Sequence, residues 1–353
     1  MKQRYAYIDL IKTIAIIMVI ILHASLFTTD FIKLGTADSA IQYAIRIICE
    51  GVPLFIMVNG FLLLHKGNFD LKKHLKKTLK IFLLLIIWSI IVYVVKVMMI
   101  YGKISPILLW QNIWTTGTNN IYTGMFWFLQ NLITLYLMYP IIKNIYDNNK
   151  QLYKYVFIIV IISSVGIRFL QMITQLIESK NLNLIINYIT KFNIFLNRDF
   201  LLFFMIGGYL YENKEMFTIK NTRNKYIIIG ILSWGLSFLY AYIMSVKNNE
   251  TYPNNFNCSS IFMVFIMIGI FAISNMYKDN GRIYNKIITS IGKNSLGIYF
   301  IHIIILDIIS KYLPILNSTK ILICIKILIT VIASWGLTLG LGKIPKLKEL
   351  VKI

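Results

Sequence analysis

Charged residues are scarce in this chain: they form 14% of its 353 residues, whereas 58% are hydrophobic. The mean hydropathy is +0.70. This composition excludes an ordinary soluble domain and predicts an all-α, polytopic membrane protein. Cysteine is also rare, and Cys49, Cys258 and Cys324 have neither a CxxC spacing nor a spacing typical of metal ligands. We interpret them as apolar filler and predict no metal site.

Acidic residues are fewer still: 14 Asp and Glu stand against 36 Lys and Arg, a formal net charge of +22. In a soluble protein such a charge would suggest a nucleic-acid partner. Here the basic residues lie mainly between hydrophobic runs, where they set the orientation of a chain in the bilayer. We therefore predict no nucleic-acid partner.

The N-terminal apolar run also lacks a small-residue cleavage site, and it is longer than the roughly 7 to 15 residues of a signal-peptide core. We expect it to be retained as a membrane segment. The rest of the chain contains no soluble domain, no low-complexity linker and no convincing internal repeat. We predict a single transmembrane domain, 1–353.

Ten apolar segments are present, and most have the roughly 20 residues that span a bilayer. They are 5–27, 40–64, 80–101, 125–142, 154–177, 199–211, 225–246, 258–277, 294–312 and 320–342. The sixth is short and is predicted to be tilted, broken or re-entrant, shielded by other helices. Basic residues fall in alternate connections, so the positive-inside rule places both termini in the cytoplasm.

The first segment carries ionisable residues inside an apolar run: Asp9, Lys12 and His23. Placing a charge at the centre of a bilayer costs about 2.5 to 3.5 kcal/mol on insertion scales, so such residues are functional-site candidates. At about 100° per residue, Lys12 and His23 lie within roughly 20° of each other on a helix and about 16 Å apart along it. Asp9 precedes Lys12 by one turn. The predicted orientation puts Lys12 near the cytoplasm and His23 in the outer half.

The second segment carries Arg46 and Glu50, which we predict to be an i,i+4 pair at a depth that His23 also reaches. A histidine beside a carboxylate is suited to act as a general base. The alternative is structural: Arg46 and Glu50 neutralise each other, and His23 forms a packing hydrogen bond. The sequence GVPLFIMVNGF follows, in which Gly51 and Pro53 weaken the helix.

Further candidates are polar residues in later segments and the lysines that follow the second apolar segment. Trp127 has the position of an interfacial belt residue. Arg168 suits an anionic acceptor in an outer-leaflet cavity, or an internal ion pair. The lysine-rich connection after the second segment sets orientation and contacts anionic lipids, or binds the phosphates of a nucleotide-containing donor. The remaining polar candidates are Asn59, Asn131 and His302.

At these residues the chain resembles the acyltransferase 3 family of integral membrane proteins. The family motif of a basic residue, ten residues and a histidine corresponds to Lys12 and His23, within RYAYIDLIKTIAIIMVIILH. GVPLFIMVNGF, MFWFLQNLITLYLMYP and SLGIYFIH are similar to its other signatures, with Asn59 where the pattern usually has serine. The resemblance covers nearly the full length.

The resemblance implies transfer of an acyl group, commonly acetyl, from a cytoplasmic acyl-CoA co-substrate to a cell-surface carbohydrate or lipid-linked glycan. No bound cofactor is expected, and the partners are membrane lipids and the acceptor, at the plasma membrane. It makes His23 catalytic with Glu50 in support, and it assigns Asp9 and Lys12 to the donor site. Lys73 and Lys76 stand where the family has Arg-x-x-Arg, and lysine keeps the charge but not the bidentate geometry.

Two alternative functions remain open from the sequence. A transporter or flippase would export a glycan or lipid-linked precursor along a path formed by Lys12, Arg46, Glu50 and Arg168. A sensory or scaffold membrane protein would leave His23 and His302 without a purpose.

Overall fold

The computed structural model describes residues 5–24, 35–67, 69–101, 105–114, 123–190, 198–251 and 260–352. These residues are mostly helical and contain no strand. They form two compact units. Unit 1 comprises 1–66 and 143–292, and unit 2 comprises 67–142 and 293–353. The end of the first predicted segment, 25–27, and the start of the eighth, 258–259 with Cys258, lie outside the described residues.

The α-helices are numbered in chain order. They are α1 Ala6–His23, α2 Ala37–Ile48, α3 Val52–Leu63, α4 Leu71–Tyr101, α5 Pro106–Trp114, α6 Trp127–Asn148, α7 Lys150–Ile161, α8 Ile167–Ile177, α9 Lys180–Ile189, α10 Arg198–Glu212, α11 Lys220–Asn248, α12 Ile261–Ser274, α13 Ile283–Lys293, α14 Ser295–Tyr312, α15 Lys320–Leu341 and α16 Lys348–Val351. Unit 2 holds α4, α5, most of α6 and α14 to α16; unit 1 holds the others and the end of α6 from Lys143.

Eight stretches of the described chain are long and apolar enough to cross a membrane. They are Ala6–His23, Ala37–Leu63, Leu71–Met99, Gly124–Asn148, Lys150–Ile177, Lys220–Asn248, Ser295–Tyr312 and Lys320–Leu341. This confirms a multi-pass, all-α membrane protein. That the chain has ten membrane segments and that both termini are cytoplasmic remain predictions.

The short sixth segment is α10, whose 15 residues span about 22 Å at 1.5 Å per residue. All residues from Phe200 to Gly208 are buried. Its backbone is therefore shielded by protein, as a segment too short to cross a bilayer requires.

In unit 1, α10 packs against α3 through glycines on both helices. A methyl group at Gly60 would overlap the carbonyl of Phe204, and one at Gly207 would overlap the carbonyl of Met57. Only glycine permits backbones to approach this closely, which is how small residues support helix association in membranes. The two buried helices form the centre of unit 1.

Helix α1 is held in unit 1 by α13 as well as by α3. The Thr13 hydroxyl donates to the carbonyl of Ile288 at 2.8 Å and also to that of Asp9 at 3.0 Å. Gly292 lies directly against the Asp9 backbone, where no side chain would fit. These contacts fix the half of α1 that carries Asp9 and Lys12.

In unit 2, α15 turns a buried polar row toward α14. Thr330, Ser334 and Thr338 each donate to the carbonyl four residues earlier, at 2.8, 2.6 and 2.7 Å. Gly297 of α14 lies against the Thr338 side chain. Because each hydroxyl is satisfied within its own helix, the row packs like small apolar residues.

The lysine-rich stretch after the second segment is not a loop, as the sequence predicted, but the first turns of α4. Asp70 caps this helix by accepting from the Lys73 amide at 3.0 Å. The one buried side chain between Leu71 and Lys77 is His74, which bonds the carbonyl of Tyr136 at 2.7 Å. A capping carboxylate and one inward-facing residue per turn therefore start the helix at Leu71, before the predicted third segment, 80–101.

We predict that Gly60→Ala lowers the stability of the protein by about 1 to 3 kcal/mol, because the added methyl group forces α3 and α10 apart. The measurement is thermal unfolding of the purified protein in detergent. Gly235→Ala is the matched control: it lies within α11, and among the described residues no atom lies within 4 Å of the position its Cβ would take. The control should unfold at the wild-type temperature or above it, since alanine favours helix over glycine. Equal losses at both positions would contradict the packing argument.

Candidate active site

The three ionisable residues of α1 differ in burial and position. Asp9 lies in the first turn and is 7% exposed. Lys12 is half-buried one turn later, and His23 is the half-buried last residue of the helix. Both Asp9 and Lys12 therefore lie in the half of α1 that α13 holds, and His23 lies at the opposite end.

The second segment is broken in its middle. Helix α2 ends at Ile48, α3 begins at Val52, and the Gly51 amide donates to the Cys49 carbonyl at 3.0 Å. Pro53 falls in the first turn of α3, where a missing N–H costs nothing. Glu50 lies at the break, outside both helices, so the prediction that it shares one helix face with Arg46 is wrong.

The break packs against the middle of α1. A methyl group at Gly51 would overlap the Ala15 carbonyl and come within 3.1 Å of a Val19 methyl. Lys12 precedes Ala15 by three residues, about 4.5 Å along the axis, and His23 follows Val19 by four, about 6 Å. The structure therefore brings the segment that carries Glu50 to the part of α1 between Lys12 and His23.

Two further predicted residues lie on the helices beside this break. Arg46 is half-buried in the last turn of α2. Asn59 is half-buried on α3, and its amide donates to the Phe55 carbonyl at 2.9 Å. One donor of the Asn59 amide is thus used within the helix, and its carbonyl oxygen can accept from another group.

Arg168 of unit 1 is part of an ion-pair cluster. Its guanidinium lies 3.3 Å from one oxygen of Asp199, and the Ser164 hydroxyl donates to the other oxygen at 2.6 Å. Arg198 Nε lies 3.9 Å from the same carboxylate. Ser164 belongs to a π-helical turn, Ile162–Gly166, between α7 and α8. Of the two roles predicted for Arg168, the structure shows the internal ion pair, and π turns are frequent at functional sites.

The other predicted residues belong to unit 2. Lys73 and Lys76 are exposed in the first two turns of α4. An N-terminal helix turn with lysines presents positive charge from both the ammonium groups and the helix dipole. This arrangement is suited to phosphate, and the assignment of these lysines to the donor stays a prediction.

Helices α6 and α14 carry the remaining three. Trp127 and Asn131 are half-buried on successive turns at the start of α6. His302 is fully buried on α14, and its Nδ1 lies 2.6 Å from the Tyr299 carbonyl. The Tyr299 hydroxyl donates to the Met125 carbonyl just before α6. The buried part of α14 is thereby tied to the start of α6.

A polar cluster in unit 1 was not predicted from the sequence. The Tyr146 hydroxyl donates to Glu212 at 2.5 Å, and Lys150 donates to the same carboxylate oxygen at 2.8 Å. His65 Nε2 contacts the Tyr146 oxygen, and its ring stacks on Tyr211 with centroids 3.7 Å apart. These residues join the ends of α3, α6 and α10 to the start of α7. They are separated by up to 147 residues along the chain, so no local sequence pattern predicts that they come together.

The cluster determines the protonation state of His65. Tyr146 has one proton, which it gives to Glu212, so Nε2 of His65 must donate to the tyrosine oxygen. The Nδ1 atom is buried and has no partner among the described residues. Burial lowers the pKa of His65 from its ordinary value near 6.5 to about 4; Glu212 acts in the opposite direction, and Lys150, Lys143 and Lys214 add to the lowering. His65 is therefore neutral at pH 7.

Two lysines inside predicted membrane segments were also missed. Lys96 of α4 pairs with Asp307 at 3.3 Å, and Lys326 of α15 is 3% exposed. The rule that selected Lys12, an ionisable residue within an apolar run, applies equally to both of them.

A family model described as an acyltransferase domain matches residues 5–339. A search of curated proteins finds no match, and no solved structure matches.

We predict that the protein loses stability as the pH falls from about 6.5 to 4, because the unfolded chain protonates His65 in that range and the folded protein does not. Above pH 6.5 the contribution is constant. The measurement is the melting temperature in detergent between pH 4 and 8, for wild type and His65→Asn. Asparagine does not titrate, so the variant should show a shallower decline over this range. Identical pH profiles would contradict the assignment.

Proposed function

The chain belongs to the acyltransferase 3 family, and on that premise we propose that it transfers an acetyl group from cytoplasmic acetyl-CoA to a hydroxyl of a cell-surface carbohydrate or lipid-linked glycan. The family whose model matches residues 5–339 consists of membrane acyltransferases. The donor, the acyl group, the acceptor and the plasma-membrane location are our proposals.

The observation that carries the proposal is the packing of the α2–α3 break against α1. The break presents Glu50 beside the part of the helix that separates Lys12 from His23. Irregular backbone is tolerated at membrane depth only when it is enclosed by protein or lines a cavity. Glu50 thus lies at a level of α1 between Lys12 and His23, which stand about 16 Å apart along the helix.

We assign the chemistry to His23, in one of two ways. As a general base, His23 accepts the proton of the acceptor hydroxyl while the hydroxyl oxygen attacks the thioester carbonyl; the C–S bond then breaks and the coenzyme A thiolate leaves. As an acyl carrier, the His23 nitrogen attacks the thioester carbonyl first, the C–S bond breaks and the coenzyme A thiolate leaves; the hydroxyl oxygen then attacks the acyl group, the N–acyl bond breaks and the hydroxyl proton passes to the imidazole nitrogen. In both, Glu50 stabilises the positive imidazole, and Asp9 and Lys12 serve the donor.

We assign the donor phosphates to Lys73 and Lys76. Two exposed ammonium groups on adjacent turns, at the positive end of α4, suit the polyphosphate of coenzyme A. The acceptor side is assigned, as a prediction from the sequence, to polar residues of the predicted membrane segments. They are Arg46, Asn59, Trp127, Asn131, Arg168 and His302.

We predict that His23→Ala lowers the rate of acyl transfer at least about a hundredfold, the usual loss when a general acid or base is removed. The assay follows labelled acetyl-CoA into glycan or lipid in reconstituted vesicles. His65→Asn is the matched control, since it removes a histidine of the same unit from a structural cluster. Its activity near pH 7 should equal that of the wild type. Full activity of a folded His23→Ala protein would refute the proposed mechanism, and substrate movement without an acyl donor would favour a transporter.

We predict that Lys73→Gln with Lys76→Gln raises the KM for acetyl-CoA by about tenfold or more and leaves kcat within a factor of two. A lysine near an anionic group contributes about 1 kcal/mol, and about 1.4 kcal/mol corresponds to a factor of ten. Lys66→Gln with Lys72→Gln is the control, because it removes the same charge from neighbouring exposed positions. Equal increases in KM for both double variants would show general attraction of anions and contradict the specific assignment.

A further inference from the structure

One end of unit 2 contains a group of charged side chains that neither the fold nor the proposed function explains. The lysine cluster consists of Lys96, Asp307, Lys311 and Lys326. Lys96 pairs with Asp307 at 3.3 Å, and Lys311 donates to the Met99 carbonyl. Lys96, Asp307 and Lys326 lie within stretches apolar enough to span a membrane, so each is costly unless it serves a purpose.

Lys326 is the most enclosed member of the lysine cluster. It is 3% exposed although it lies only six residues after the start of α15. Its ammonium group donates to the Ser310 hydroxyl at 2.8 Å and to the Asn317 side-chain oxygen at 2.9 Å. A lysine near a helix end ordinarily extends its ammonium group to the membrane surface. Lys326 instead turns into the protein, toward two neutral oxygens.

The cluster has too few negative charges. Unit 2 contains three acidic residues in its sequence: Asp70, Asp307 and Glu349. Asp70 caps the opposite end of α4, and Glu349 pairs with Lys80 in the third turn of that helix. Asp307 is therefore the one carboxylate of unit 2 that acts on Lys96 and Lys326. An excess positive charge in apolar surroundings calls for an anion.

The surroundings indicate which anion fits. The cluster lies where α4 and α14 end and α15 begins, the level at which helices meet lipid head groups. Lysine is a common phosphate ligand, and the phosphate groups of anionic lipids lie at this level of the membrane. The Asp307 side chain is 34% exposed and that of Lys96 15%, so an anion can reach them from the surface.

We propose that the lysine cluster binds the phosphate group of an anionic lipid. Lys96 and Lys326 provide the attraction, Ser310 and Asn317 orient the Lys326 ammonium group, and Asp307 limits the affinity by repelling the phosphate. This inference does not depend on the proposed acyl transfer.

The test measures the melting temperature and lipid adducts of the full-length protein in detergent, with added phosphatidylglycerol, phosphatidylcholine or inorganic phosphate. Phosphatidylglycerol should raise the melting temperature and remain bound in native mass spectra, because a ligand of the folded state stabilises it. Phosphatidylcholine and inorganic phosphate should do neither. An equal effect of phosphatidylcholine would overturn the role of charge, and an equal effect of inorganic phosphate would overturn the role of the lipid.

An anion site predicts that removing a lysine and removing Asp307 change phosphatidylglycerol binding in opposite directions. A merely structural ion pair does not predict opposite changes. Lys326→Met and Lys96→Gln should each weaken phosphatidylglycerol binding about fivefold, and Asp307→Asn should strengthen it about fivefold, from about 1 kcal/mol per charge. Lys96→Gln and Asp307→Asn suffice where Lys326→Met does not fold. Lys247→Met is the control, since Lys247 pairs with Glu178 at 2.6 Å in unit 1. Phosphatidylglycerol binding by this variant should be unchanged. Weaker binding by Asp307→Asn would refute the anion site.

Discussion

The contact between Gly51 and the Ala15 carbonyl is the constraint on which the candidate site depends. It brings a non-helical backbone segment against a membrane helix, and any larger residue would overlap the carbonyl. The same device recurs where α3 meets α10 and where α1 meets α13. Unit 1 is therefore organised by backbones in contact at glycines, and its polar residues are placed by those contacts.

The polar side chains of the two units are satisfied in different ways. In the cluster of His65, Tyr146 and Glu212, each proton has a defined acceptor, so the group joins helix ends without excess charge. In the lysine cluster, neutral oxygens receive the Lys326 ammonium group, and Asp307 is the carboxylate that pairs with Lys96. The first arrangement accepts its protons within the protein and leaves Nδ1 of His65 without a partner among the described residues, whereas in our proposal a ligand completes the second. Whether a buried ionisable group finds its partners within the protein thus separates structural roles from binding roles.

The sequence was sufficient for the fold class and the family, because apolar runs of about 20 residues and the Lys12–His23 motif are local patterns. It also indicated the weakness at Gly51 and Pro53. It could not show that Glu50 leaves the helix, because the break packs against Ala15, which precedes Gly51 by 36 residues along the chain. The Tyr146–Glu212 cluster has the same origin. Helix α4 began earlier than predicted because hydropathy reports membrane segments rather than helices.

The order of the two units along the chain has a consequence for biosynthesis. Unit 1 is interrupted by 67–142, so Gly60 is made 144 residues before Phe204, the residue whose carbonyl it contacts. At about 5 to 20 residues per second, that separation corresponds to roughly 7 to 30 s of translation. During this interval α3 carries its glycine face and Asn59 without α10. The newly inserted N-terminal part of the chain must therefore persist in the membrane without this contact until α10 is made.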